Sequence, residues 1–280
     1  MAVNEMVGAT RASPREWIRD PGVQLWLVAA ACWVALLAVG HHHDTVIADS
    51  ALHSTAGLVL SVVVLAGAWL EMTAAMMLPT TVPMVRMFHV VTARAPRTAM
   101  VRTAFLAGYL ALWMVFALAA MGAAAALRAG AAAGRLTWLV ERPNLLLAAV
   151  LGVAGVFQLA PLKDRCLTQC RDPRAFLYAH YRRGIRGGWL LGWRHGVSCL
   201  GCCWALMLIM VGTGLGNVLV MLMLTAVMLI EKTARWGRRL VIPVGIGLLV
   251  AAAAVALFGD VLSGWGLYEP LTAPVGAHQH

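Results

Sequence analysis

Charged residues are scarce in this sequence: only 12% of its 280 residues are Asp, Glu, Lys or Arg, whereas 61% are hydrophobic. A soluble globular protein has about 25% charged and about 45–50% apolar residues. The chain therefore carries too little charge to cover a water-facing surface. This shortage excludes a single soluble domain, an intrinsically disordered chain and a disulfide-rich secreted domain.

Several motifs of well-known chemistry are also absent. The sequence contains no Cys-x-x-Cys-His motif, so covalent attachment of a c-type haem is not expected. It contains no Gly-Lys-Ser/Thr loop for a phosphate, so ATP-driven pumping is not predicted. Whether the protein is an enzyme is not decided by these absences, and binding without catalysis is the favoured expectation.

In place of charge, the sequence has long hydrophobic runs. A helix crosses the bilayer core of about 30 Å with roughly 17–25 apolar residues. Seven segments reach this length and predict an all-α, polytopic membrane helix bundle: about 23–40, 56–78, 101–127, 144–160, 188–212, 214–231 and 240–259. The glycines at 212, 214 and 216 predict a tight turn between the fifth and sixth segments.

The cations are distributed unevenly among the connections between these spans. Eighteen of the 22 Lys and Arg residues fall in the N-terminal segment and in every second connection, against three in the alternate connections. Because Lys and Arg are enriched in cytoplasmic loops, this distribution predicts a cytoplasmic N-terminus and an extracytoplasmic C-terminus in a bacterial inner membrane. The net charge of +10 is thus explained by topology and gives no sign of a nucleic-acid partner.

The predicted organisation is one membrane domain over 23–259, preceded by a cytoplasmic segment over 1–22 and followed by an extracytoplasmic tail over 260–280. The apolar part of a signal peptide has about 7–15 residues. The first span is longer than that, so we expect it to be retained in the mature protein.

Three ionisable residues lie inside the predicted spans, where each costs about 2.5–3.5 kcal/mol to insert and is therefore a candidate for function. Glu71 lies in the second span, and Arg194 and His195 lie in the fifth. Counted from the cytoplasmic ends of these spans, Glu71 and His195 are each about 12 Å deep. Either Glu71 and Arg194 form a structural ion pair, or Glu71 is a metal ligand or proton carrier.

The fifth span carries the densest chemistry of the chain. Because successive helical residues are about 100° apart, one stripe of this helix holds an imidazole, three thiols and two thioethers: His195, Cys199, Cys202, Cys203, Met207 and Met210. Thiolate and thioether are soft ligands that favour Cu(I), with zinc as the next candidate. The alternative is simple packing, because free cysteine behaves as a small hydrophobe and methionine fills gaps.

Other potential metal ligands lie outside this stripe. The second span has Met72, Met76 and Met77 near the level of Glu71. Cys166 and Cys170 form an i, i+4 pair in a connection expected on the cytoplasmic side, where they would act as an acceptor or redox pair. Six histidines are expected outside, and His-rich tracts often bind metal: His41, His42, His43, His53, His278 and His280.

The chain contains three distinctive runs: AMMLP at 75–79, LKDRCLTQCR at 162–171 and GCCWALM at 201–207. In combination they resemble a bacterial family of predicted metal-binding integral membrane proteins, some of which are described as probable copper chaperones found with copper oxidases. The similarity covers about residues 56–235. It places the following residues on the family's motif positions: Met72, Met76, Met77, Lys163, Cys166, Cys170, Cys199, Cys202, Cys203, Met207 and Glu231.

The sequence therefore predicts a membrane protein that binds copper, as Cu(I), and either delivers it to an extracytoplasmic copper oxidase or carries it across the membrane. Besides the lipid bilayer, its expected partner is this oxidase client or a metal-donor protein. Zinc is the alternative metal. Two other functions stay open: a thiol–quinone oxidoreductase that uses Cys199 and Cys202, and a structural assembly subunit whose cysteines and methionines only pack.

Overall fold

A computed structural model describes residues 20–39, 55–135, 143–213 and 217–263, and over these ranges the chain forms helices and no strands. The all-α fold class is therefore confirmed for the described part of the chain. In chain order its α-helices are α1 Pro21–Val39, α2 Thr55–Val91, α3 Thr98–Ala132, α4 Pro143–Gln158, α5 Pro161–Arg171, α6 Pro173–His180, α7 Ile185–Thr213, α8 Val218–Thr233 and α9 Val241–Ser263. A 3₁₀ helix, Gly237–Leu240, leads into α9.

Five or six helical stretches in the described ranges are long and apolar enough to cross a membrane, compared with the seven predicted. A further stretch is the pair α4 and α5, which would cross as one broken span bent by 65°. The five unbroken ones are Pro21–Ala38, Ala66–Val91, Thr98–Ala132, Ile185–Met210 and Gly237–Gly259.

The predicted sixth span at 214–231 differs most from the structure. It corresponds to α8, which has 16 residues. At 1.5 Å per residue such a helix is about 24 Å long, shorter than the ~30 Å bilayer core. The Asn217 side chain caps its start by accepting a hydrogen bond from the Val220 amide at 3.1 Å, which sets where the helix begins. The predicted turn glycines at 214 and 216 lie outside the described residues.

Helix α2 is longer than the predicted span at 56–78, because it continues through Pro79 and Pro83. A proline inside a helix leaves a carbonyl of the preceding turn without its usual donor. Thr80 and Thr81 lie between the two prolines, and each hydroxyl donates to a backbone carbonyl three residues earlier at 2.8 Å. The acceptors are the carbonyls of Met77 and Leu78, so these bonds reinforce the turn between the prolines and do not replace the two backbone bonds that the prolines remove.

Helices α3 and α7 pack with their backbones almost in contact, because α7 has glycine at 188, 192 and 196. A Cβ at Gly192 would lie 1.9 Å from the carbonyl oxygen of Phe105, and a Cβ at Gly188 would lie 2.4 Å from that of Val101. Small residues at a spacing of four are a frequent contact surface of membrane helices. Helix α7 also packs against α4, α5 and α8, so it lies at the centre of the bundle.

The connection at 161–187 folds into two short helices, α5 and α6, each with proline as its first residue. The Asp172 side chain caps α6 by accepting hydrogen bonds from the amides of Arg174 and Ala175, at 3.1 and 3.0 Å. Cys166 and Cys170 therefore lie one turn apart on a helix, as the i, i+4 spacing predicted. Helix α5 packs against α7 and carries both cysteines to it.

Candidate metal site

The stripe predicted on the fifth span faces the interior of the bundle. Cys199, Cys202 and Cys203 on α7 are each no more than 2% exposed. The whole stripe is buried: His195, Cys199, Cys202, Cys203, Met207 and Met210. Side chains of α3, α5 and α8 contact this face directly, and Met77 of α2 lies beside the Lys232 ammonium that contacts it.

Two of the three thiols on α7 are hydrogen-bonded within their own helix. Cys202 and Cys203 both donate to the backbone carbonyl of Cys199, with Sγ–O distances of 3.0 and 2.9 Å. A side chain that bonds the carbonyl one turn back satisfies its polar group locally. In this arrangement, the described residues contain no group of three or more His, Cys, Asp or Glu side chains already positioned to hold a metal ion.

Helix α5 brings a fourth thiol to this group. The Sγ of Cys170 lies 3.9 Å from the Sγ of Cys202, and we refer to Cys170, Cys199, Cys202 and Cys203 as the thiol cluster. Cys166 contacts α7 one turn away, where a Cβ added at Gly201 would lie 2.6 Å from its Sγ. The sequence predicted Cys166 and Cys170 as a separate cytoplasmic pair, whereas the structure joins Cys170 to the thiols of α7.

A lysine ammonium group lies among the sulfurs. Nζ of Lys232, near the end of α8, donates to the Sγ of Cys199 at 3.1 Å and is 3.8 Å from the Sγ of Cys203. It also lies 3.8 Å from the Sδ of Met77 and 3.5 Å from the Oγ1 of Thr80, both on α2. Lys232 is buried, so these sulfur and oxygen atoms take the place of water around its ammonium group.

The neighbouring residue, Glu231, is bound by the α4–α5 bend. Its Oε2 accepts from Lys163 Nζ at 2.7 Å, and its Oε1 accepts from the Gln158 side-chain amide, whose own oxygen accepts from Lys163 at 2.5 Å. The side chains of Lys163 and Glu231 are only 1% and 3% exposed. A buried ion pair tolerates burial only when further hydrogen bonds satisfy both charges, and Gln158 supplies them here.

Arg171, at the end of α5, makes a second contact with α8. Its guanidinium donates to the carbonyl oxygens of Glu231 and Ala234, the latter at 2.8 Å. These are carbonyls at the C-terminus of α8, where a cation also interacts favourably with the helix dipole. Helix α5 therefore holds α8 at two points, Lys163 and Arg171, and the position of Lys232 is fixed between them.

His195 lies in an aromatic cage beside the thiol cluster. Its ring stacks on Phe105 and Tyr109, with centroid distances of 6.0 and 5.7 Å, and meets the edge of Phe176 at 5.6 Å. Its Nδ1 is buried without a hydrogen-bond partner among the described residues. Tyr109 links the imidazole to the thiols, because its hydroxyl lies 3.1 Å from the Sγ of Cys199.

The predicted methionines are all buried in the same core. Met77 reaches the thiol cluster through Lys232. Met72 and Met76 lie near it on α2, and Met207 continues the stripe on α7. The structure thus keeps these thioethers away from water, as a soft-metal site requires and as ordinary packing also does.

Glu71 and Arg194 do not form an ion pair, which was one of the two alternatives that the sequence left open. Both side chains are half-buried, and no salt bridge between described residues joins them. Glu71 lies six residues, or about 9 Å along α2, before Met77, and it is close enough to Cys32 of α1 to interact with it electrostatically. The prediction had ended α2 near Pro79, which placed Glu71 too near the end of its helix.

The six histidines predicted outside the membrane all lie outside the described residues. So do 1–19 of the N-terminal segment and 264–280 of the tail. The proposal that these regions bind metal stays a prediction from the sequence alone.

The prediction missed the roles of Lys232, Tyr109 and Gln158 at this site. For Lys232 the sequence did contain a signal, the scarcity of lysine. Of its 22 Lys and Arg residues only Lys163 and Lys232 are lysines, and the rest are arginines. Both lysines are buried. Tyr109 and Gln158 lie in unremarkable apolar segments, so only the packing of α3 and the α4–α5 bend identifies them.

Comparison with known proteins bears on the same region. The protein-family model described as a copper chaperone matches residues 66–255, a range that includes the whole thiol cluster, Lys232 and the Lys163–Glu231 pair. No curated protein and no solved structure matches the chain.

Proposed function

Because this chain belongs to the PpoB2 copper chaperone family, as its sequence motifs predicted, we propose that it binds copper as Cu(I) inside the membrane and passes the ion to another protein. Its main ligands are the sulfurs of the thiol cluster. The observation that carries this proposal is the convergence of four thiols from α5 and α7, three of them buried and the fourth, Cys170, half-buried. Each thiol becomes a ligand after losing its proton and turning away from its present hydrogen bond.

The chemistry of the donor set favours a soft ion. Thiolate and thioether groups prefer Cu(I), whereas carboxylates and carbonyls suit harder ions such as Mg²⁺ and Ca²⁺. The carboxylate closest in sequence to the cluster, Glu231, is already bound by Lys163 and Gln158. Four cysteines with Met77 beside them therefore fit copper as the cargo.

A transfer route follows from the contact between α5 and α7. We assign Cys166 and Cys170 to the entry or exit of the ion, because Cys170 Sγ is 3.9 Å from Cys202 Sγ. Over that distance the ion is exchanged from one thiolate to the next without being released. The other candidate ligands are assigned to flanking positions along the route: His195, Met207, Met72, Met76 and Glu71.

The proposed setting is the bacterial inner membrane. The cation distribution favours seven spans, including α8, with the N-terminus in the cytoplasm and the C-terminus outside. The domain boundaries at 22 and 259 follow from this topology. The proposed client is an extracytoplasmic copper oxidase, which would receive copper on the face where the six histidines are expected, and the proposed source is a metal-donor protein.

The thiol–quinone oxidoreductase is the second candidate. The 3.9 Å approach of Cys170 to Cys202 supports it, and this pair replaces the Cys199–Cys202 pair expected from the sequence. Two thiols would become one disulfide, and their two electrons and two protons would reduce a quinone to a quinol. The burial of these sulfurs limits access for a partner thiol, which such a cycle also needs.

Copper content tests the proposal. The protein is purified in detergent, loaded with Cu(I) under anaerobic conditions and passed over a desalting column, after which copper is measured by elemental analysis. We expect wild type to retain copper and the Cys199/Cys202/Cys203→Ser variant to lose it. Cys32→Ser is the matched control, because Cys32 lies on α1 outside the thiol cluster.

Two results contradict copper transfer. If wild type retains no copper, the chain does not bind it. If the triple variant retains as much as wild type, the thiol cluster is not the site. Thiol-dependent reduction of a quinone analogue by copper-free protein, followed by its absorbance, would support the oxidoreductase instead. Full activity of a client oxidase in cells carrying the triple variant would favour a structural assembly subunit.

A further inference from the structure

Lysine occurs in this chain only at two buried positions, although the sequence holds 20 arginines. One ammonium group, that of Lys163, is balanced by the carboxylate of Glu231. The other, that of Lys232, has no carboxylate partner among the described residues. Its partners are two thiols, a thioether and one hydroxyl.

The choice of lysine matters because an ammonium ion is a compact point charge on a flexible stem, whereas a guanidinium is large and planar. An ammonium nitrogen 3.1–3.8 Å from three sulfur atoms occupies the volume in which a small cation would meet the same sulfurs. Cu(I) and an ammonium group each carry one positive charge. Exchange of one for the other moves no electron: the ammonium stays attached to its stem and shifts away from the sulfurs, and each thiol that binds the ion releases its proton to solvent.

We propose that Lys232 is a tethered cation that holds the thiol cluster in the copper-free protein and is exchanged for Cu(I) when the ion binds. This inference rests on the proposed function, and it adds a mechanism of release. An ion that must compete with a permanently attached cation binds less tightly and leaves faster. Both properties suit a chaperone, whose cargo has to be given up to a client.

One of the present partners of the ammonium stays available after the displacement. Thr80 Oγ1 lies 3.5 Å from Lys232 Nζ, on the α2 side of the sulfurs. A small rotation of the lysine stem toward this hydroxyl withdraws the charge from Cys199 and Cys203. Glu231 stays bound to Lys163 during that rotation, so α8 keeps its place.

Replacement of the lysine tests the proposal. Lys232→Leu removes the charge, keeps a similar volume and adds no copper ligand. We expect Cu(I) to bind at least tenfold more tightly than in wild type, and to dissociate correspondingly more slowly when a Cu(I)-specific chelator is added in excess. Affinity is measured by equilibrium competition with that chelator, and dissociation by stopped-flow absorbance of the chelator complex.

The matched control removes a cation together with its charge partner away from the thiol cluster. The Arg86→Gln/Asp20→Asn variant removes an exposed ion pair between the start of α1 and α2 and leaves no unpaired charge. We expect its Cu(I) dissociation rate to stay within about twofold of wild type. The thermal midpoints of all copper-free proteins are measured as well, because a purely structural role for Lys232 would lower stability without slowing copper release.

Equal or weaker Cu(I) binding by Lys232→Leu, in a protein that still folds, overturns the proposal. If Lys232→Leu does not fold, Thr80→Val gives the second test. It removes the alternative partner of the ammonium, so copper should bind more weakly, and unchanged binding would overturn the proposal. If wild type itself binds no copper, the proposed function fails, whereas wild-type binding that is insensitive to both substitutions rejects only the role of Lys232.

Discussion

Two neighbouring residues of α5 form ion pairs in very different surroundings, one buried and one exposed. Lys163 and Glu231 form a nearly inaccessible pair, whereas Asp164, the next residue along α5, pairs with Arg238 where both side chains are more than half exposed. Exposed pairs contribute about 0–1 kcal/mol, because water screens them. Breaking a buried pair leaves an uncompensated charge. We therefore expect the loss of the two pairs to lower the free energy of unfolding by very different amounts.

Lys163→Met tests this contrast. We expect a loss of about 3–5 kcal/mol in the free energy of unfolding, because Glu231 is left buried without its cation. Asp164→Asn, which removes the exposed pair, should cost less than about 1 kcal/mol. Denaturant unfolding of the detergent-solubilised protein measures both, and similar costs for the two variants would contradict the assignment.

At the scale of helices, the α3–α7 contact depends on glycine. Gly192→Ala adds a Cβ that would lie 1.9 Å from the Phe105 carbonyl oxygen. Because that neighbour is backbone, the helices must separate, and we expect a loss of about 1–3 kcal/mol from overpacking. The matched change is Gly122→Ala on α3, where a Cβ meets nothing within 4 Å.

Thermal unfolding measures both glycine variants. Gly122→Ala should be neutral or stabilising by up to about 1 kcal/mol, because alanine has the higher helix propensity. A stable Gly192→Ala protein that keeps its thiols protected from alkylation would show that α3 and α7 pack less closely than described.

Helices were easier to predict than their contacts. Long apolar runs fixed α1, α3, α7 and α9, because apolar length is itself the physical requirement for crossing a bilayer. The predicted end of α2 was wrong, because each proline removes only one backbone hydrogen bond and the helix continues through both. The residues predicted to share one stripe on α7 do form a buried face. Helical periodicity determines which residues share a face, so this part of the prediction needed no knowledge of the other helices.

Contacts between helices do not follow from periodicity. The position of Cys170 beside Cys202 depends on the 65° bend between α4 and α5, which turns a segment assigned to a loop back onto α7. The placement of Lys232 depends on the same bend, because Lys163 and Arg171 hold α8 from α5. Neither feature leaves a pattern in the spacing of residues, although the scarcity of lysine could have drawn attention to both positions.

At the scale of the whole molecule, the number of membrane crossings decides on which side of the membrane the C-terminus lies. Seven crossings place the two termini on opposite sides, and six place them on the same side. We expect a reporter enzyme that is active only outside the cytoplasm to be active when fused after residue 263. The same reporter fused at the N-terminus, or within the α5–α6 connection near Asp172, should be inactive.

An inactive C-terminal fusion, in a protein that still reaches the membrane, would mean that α8 does not cross it. Its length of 16 residues makes this the element on which the topology depends. The cation distribution predicts instead that α8 does cross the membrane. Arginines lie just before α9 and none follows it, which places the start of α9 in the cytoplasm and its end outside.

The glycine contact also determines which parts of the site are able to move. At Gly188 and Gly192 the backbone of α7 lies against the carbonyl groups of Val101 and Phe105 on α3, and backbones packed this tightly resist sliding. Helices α5 and α8 reach α7 through side chains, among them Cys166, Cys170 and Lys232. The α3 side of the site is therefore more rigid than the sides formed by α5 and α8, whose side chains can change rotamer without any movement of the helices.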